Sequence, residues 1–149
     1  MATGNVAARP AAGAGRVPLG QVLRVGGLAI VASVVANLLL LLVLRALVPT
    51  PAPFPPFDFF PVALFTTIGV AAGVAVYAVL SRFVADASRL FVIIGVIALI
   101  LSCIPNVMLA LDPSGAPFPG AIPAGFWALI ALHFPPAFFC IWLLATRAK

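Results

Sequence analysis

Four long apolar runs divide the chain: Val25 to Val48, Pro61 to Leu80, Leu90 to Leu111 and Ile122 to Ala145. At a rise of ~1.5 Å per residue, about 20 residues cross a ~30 Å hydrocarbon core, so each run is long enough to span a bilayer. In lipid, backbone N–H and C=O groups must find partners within their own segment, which predicts helices and not strands. The expected fold is therefore all-α: a four-helix transmembrane bundle. Proline opens the second run at Pro61, where its missing N–H would lack a helical partner anyway.

Residues 1–20 are rich in Ala, Gly and Pro, carry Arg9 and Arg16, and show no apolar periodicity. They read as a flexible tail ahead of a membrane domain over 21–149. The first run has the basic start of a signal peptide, but it is too long and no small-x-small cleavage site follows it. An uncleaved helix is expected.

Composition agrees with this pattern. The 149 residues are 64% hydrophobic and only 7% charged, against about a quarter charged in soluble domains. A soluble fold of this size has too much surface to hide so much apolar side chain. The formal net charge is +5, but the basic residues stand singly at the ends of apolar runs. That is the arrangement of topology signals, not of a nucleic-acid surface, which clusters them on one face. All eight Lys and Arg except Arg45 fall on one side of the four spans. The positive-inside rule then places both termini in the cytoplasm, with outer loops near 49–60 and 112–121. Trp127, Trp142 and Tyr77 fall near span ends, as interfacial belt residues do.

The first outer loop reads PAPFPPFDFFP over residues 51–61. Its prolines stop either helix from running on and stiffen the link. Its phenylalanines suit a bilayer surface or a cap on the bundle, and Asp58 is expected to pair with Arg45. A plain interfacial loop and a lid or docking surface both fit. Ala52-Pro53-Phe54-Pro55 recurs as Ala116-Pro117-Phe118-Pro119 in the second outer loop. Duplication of a two-helix hairpin and chance in a proline-rich chain both account for this. In the short inner loop, Asp86 is placed to pair with Arg82 and Arg89 if the helix continues, or the arginines to meet lipid headgroups.

Polar residues inside a span are the most informative positions. Counted from the outer helix ends, Asn37, Ser102 and His133 come out at a similar depth of roughly 14–17 Å, with Thr66, Thr67 and Asn106 shallower at roughly 8 Å. Pro135 and Pro136 are expected to break the fourth helix and free the carbonyls of Ala131 and Leu132. Pro105 does the same to Leu101. Freed carbonyls in lipid need donors, so a polar seam of Asn37, Thr66, Thr67, Ser102, Asn106 and His133 is predicted inside the bundle. His133, the only histidine, has three readings: a hydrogen-bonding core residue, an axial ligand for a haem or chlorophyll, or a proton relay. All three Asp lie at helix ends or in loops, which weighs against a relay and against an ion-coupled pump. Gly69 and Gly73 form GxxxG, a close-packing motif, and Gly26, Gly27 and Gly95 read similarly. Cys103 and Cys140 lie far apart, inside apolar runs and without zinc spacing, as small hydrophobes do.

No catalytic signature is present: no Ser-His-Asp set, HExxH, phosphate loop or dinucleotide turn, and no glutamate at all. Chemistry has little to work with, so no enzyme, no metal and no cofactor is expected. The Pro/Phe loop, PVALFTTIGVAAG, RLFVIIGVIALILSCIPN and ALHFPPAFF together resemble a family of small bacterial four-helix membrane proteins known only as a domain of unknown function. The resemblance covers about residues 20–147. It implies four spans and a bacterial source, attaches no activity, and draws attention to Ser102, Pro105, Asn106 and His133. Three functions stand: a structural or accessory membrane subunit that meets lipid and a membrane-protein partner or its own copies, a carrier or binding protein for a small or lipophilic molecule with the polar seam as its site, and a haem- or pigment-binding subunit through His133.

Overall fold

The computed structural model describes residues 17–48 and 54–148. Most of the tail, Ala52 and Pro53 of the first APFP copy, and Lys149 lie outside the described residues. The chain forms α1 (Leu19–Leu47), α2 (Phe59–Phe83), α3 (Ala87–Leu111), α4 (Pro123–Ala131) and α5 (Phe134–Arg147). The last two make up one span, Pro123–Arg147, and all four spans are long and apolar enough to cross a membrane. The described residues contain no strand.

The helices outrun the apolar segments that predict them. α1 takes in Gln21 and Arg24, and α2 takes in Arg82. Helical hydrogen bonding does not stop where lipid stops, and long basic side chains lie along the helix while their heads reach polar surroundings. α1 packs between α2 and α5, and α3 lies against α2, α4 and α5.

The fourth span breaks at Leu132 and His133, just before its proline pair. Pro135 and Pro136 thereby enter the first turn of α5, where an N–H would have no helical partner. The single Pro105 differs from expectation: α3 runs through it unbroken. One proline removes one hydrogen bond, and the flanking turns hold the axis.

Two apolar cores fill the bundle. At the basic end, Val22, Ala29, Val70, Val74, Tyr77, Phe91, Cys140 and Leu144 pack together. At the loop end, Leu41, Val62, Ala110, Phe126 and Leu132 pack with Phe54 and Phe57. Phe54 and Phe57 of the proline-rich loop thus plug this end of the bundle. Phe54 meets Phe118 and Phe126 edge-on, with ring centroids 6.4 and 5.6 Å apart. A Cβ at Gly125 would come within 2.9 Å of the Phe54 ring. Phe59 and Phe60 face outward.

Two expected surface features turn inward or change role. Tyr77 is 1% exposed, not an interfacial belt residue. Its hydroxyl donates to the carbonyl of Ala148 at 2.6 Å and lies 3.2 Å from Ser88 Oγ. Asp86 does not continue a helix: α2 ends at Phe83, and the Asp86 carboxylate caps α3 by accepting from the Arg89 amide at 3.1 Å. Arg45 and Asp58 do pair, at 3.5 Å. Gln21 Nε2 donates to the Arg147 carbonyl at 3.1 Å, which ties the start of α1 to the end of α5. In the α3–α4 loop, Gly120 takes φ 71°, a conformation side chains disfavour.

Candidate functional site

Between the two apolar cores lies a thin polar layer. The buried face of α1 runs Val22, Gly26, Ala29, Ser33, Asn37, Leu41. Ala29 belongs to one core and Leu41 to the other, so Ser33 and Asn37 occupy the gap. On α2 the buried face runs Val62, Thr66, Val70, Val74, Tyr77, and Thr66 falls in the same gap. Ser33, Asn37 and Thr66 are the buried polar residues of the bundle among those described. Asn37 Nδ2 donates to Thr66 Oγ1 at 2.8 Å, a direct polar link between α1 and α2. Sequence reasoning passed over Ser33, although it stands one turn before Asn37 on the same face.

The other seam residues do not join this layer. Thr67 turns back to the Ala63 carbonyl of its own helix at 2.8 Å. Ser102 is exposed and donates to the Leu99 carbonyl of its own helix at 2.8 Å. Asn106 is half-buried on α3. His133 sits at the break in the fourth span, with Nδ1 2.8 Å from the Leu129 carbonyl. The backbone explains that contact. The His133 amide bonds to Ile130 at 3.0 Å, three residues back, and the ring takes the carbonyl four residues back. A carbonyl only accepts, so Nδ1 is the donor in this contact. His133 thus serves its own helix at a place where proline weakens it.

The glycines divide similarly. A Cβ at Gly73 would lie 2.7 Å from Cys140 Sγ, whereas Gly69 meets nothing within 4 Å. The close approaches are at Gly26 on Val74, Gly73 on Cys140, Gly95 on Ile141 and Gly125 on Phe54. Gly27 faces open space. Both cysteines are free. No group of three or more His, Cys, Asp or Glu among the described residues is placed to hold a metal ion.

An open apolar groove of about 890 Å³ runs along the broken fourth span, lined by residues that include Leu40, Leu99, Phe134 and Phe138. α3 borders it and is the least enclosed helix. Only 6% of its most apolar stretch is buried, against 22–28% in the other spans.

Four long apolar helices around small, largely apolar cores define a multi-pass membrane protein. The chain belongs to DUF6069, a family of unknown function, whose profile matches residues 17–149. No curated protein and no solved structure matches it.

Proposed function

We propose that this is a small non-catalytic integral membrane protein that serves as a structural or accessory subunit, with α3 as its face toward a membrane partner or a second copy. The exposure of α3 carries this reading. Its enclosed residues are Ala87, Phe91 and Ala110, all near its ends, while Ile93, Ile97, Ile100 and Leu101 project outward. Ser102 is exposed as well, on another side of the helix, and polar side chains of this kind join helices in membranes. The distribution of Lys and Arg supports a cell-membrane location with both termini in the cytoplasm.

Native mass spectrometry of the protein, gently released from its own membrane, tests the reading. A defined larger assembly, weakened by Ile97→Trp on α3, is the expected result. A lone chain that carries extra small-molecule mass would overturn it. That outcome would favour a second reading, a carrier for a lipophilic molecule, for which the apolar groove along the fourth span is the supporting observation.

A further inference from the structure

Ser33 is the middle residue of the 29-residue α1. It is 0% exposed, and its Oγ has no hydrogen-bond partner among the described residues. Asn37, one turn on and 2% exposed, is held through Nδ2 by Thr66, but its Oδ1 likewise has no partner there. Two orphaned polar atoms on one helix face at mid-span are costly, because no bulk solvent reaches them.

A helical serine has a local remedy, a bond to the carbonyl three or four residues back. The other hydroxyls in the described helices show the habit. Thr67, Ser81, Ser102 and Thr146 each bond back to a carbonyl of their own helix. Thr66 accepts from Asn37, and Ser88 meets Tyr77. Ser33 alone does neither. Side chains four apart on a helix have Cβ atoms about 5–6 Å apart, near enough for one small molecule with two hydrogen-bonding arms to reach both. The charge-free, fully buried setting excludes an ion, and the apolar cores on either side limit the size.

We propose that Ser33 and Asn37 form a binding site for one internal water molecule. The water donates to Asn37 Oδ1 and exchanges a hydrogen bond with the Ser33 hydroxyl. A chain Ser33–water–Asn37–Thr66 then crosses from α1 to α2 between the two apolar cores. Buried waters elsewhere make two to four such bonds and are retained as part of the fold. The inference is independent of whether α3 meets a partner.

The test uses the full chain in lipid bilayers with its asparagines labelled; there are three, Asn5, Asn37 and Asn106. Solid-state NMR reads polarisation transfer from water to the side-chain amides. Transfer to Asn37 is expected at short mixing times, and Ser33→Ala should at least halve it while Asn106 keeps its intensity. An Asn37 signal that receives no transfer, or that is equally strong in Ser33→Ala, overturns the proposal. Thermal unfolding of the same variant gives an independent reading. Ser33→Ala lowers the midpoint if the hydroxyl holds water, because a bond is lost. If the hydroxyl is dry, or only back-bonds to Ala29, the midpoint stays or rises, and the site is refuted.

Discussion

At the scale of single residues, close approach and hydrogen bonding separate side chains that look alike in composition. Gly26 and Gly69 are both glycines in apolar helices, yet only Gly26 lies under another side chain. A Cβ at Gly26 would come within 2.7 Å of both Val74 methyl groups. Gly26→Ala should therefore cost about 1–3 kcal/mol, as overpacking does, while Gly69→Ala should stay within about 0.5 kcal/mol of wild type. Reversible unfolding in mixed micelles measures both. Tyr77 gives a second contrast. Tyr77→Phe keeps the ring against Phe91, whose centroid is 5.1 Å away, but strips the Ala148 carbonyl of its donor. A loss of about 1 kcal/mol is expected, with faster amide exchange at the end of α5. The exposed Arg45–Asp58 pair should matter much less: Asp58→Asn should cost under about 1 kcal/mol in the same assay.

At the scale of elements, the fourth span and the α3–α4 loop show local chemistry deciding geometry. The prolines set where α5 can begin, and His133 repairs the carbonyl left at Leu129. His133→Ala should loosen the junction of α4 and α5 at a cost of about 1 kcal/mol. Hydrogen exchange should show it as reduced protection confined to residues around 129–137, and an unchanged pattern would refute the repair role. In the loop, Asp112 accepts from the Ser114 amide at 3.0 Å. Hydrogen bonds from the Ser114 side chain and backbone hold its carboxylate below the ordinary value. A carboxylate with a depressed folded value adds stability above its unfolded pKa and loses it as pH falls through the folded one. The loop should thus keep its turn at mildly acidic pH and relax only below the usual carboxylate range. The Ser114 amide shift in a pH titration reads this, and because Asp112 is fully exposed the effect stays local.

At the scale of the whole molecule, the bundle is tight at both ends and polar at its waist. The basic end is closed by Gln21, Tyr77 and the Arg147 and Ala148 carbonyls. The loop end is closed by Phe54 and Phe57. Without hydrophobic drive between helices in lipid, such packing and hydrogen bonds are what hold the spans together. α3 shares least in them. Accordingly, a membrane partner that covers α3 should slow exchange in that helix more than in α1 or α2.

Run length and composition determined the number of spans, their helical state and their lipid setting. A backbone in hydrocarbon has few ways to satisfy itself, and twenty apolar residues admit only one of them here. The proline pair likewise announced a break, because its missing N–H groups act locally. Which way each polar residue turns was decided only by the tertiary structure. Counting along a helix yields depth and relative azimuth, but not which azimuth faces the bundle. Asn37 and Ser102 therefore shared a level on paper, yet one is buried in the bundle and the other is exposed. In a soluble helix the polar side marks the outside. Here every side is apolar, so periodicity carries no such mark, and only packing against Val74, Thr66 and Phe54 chose the buried faces.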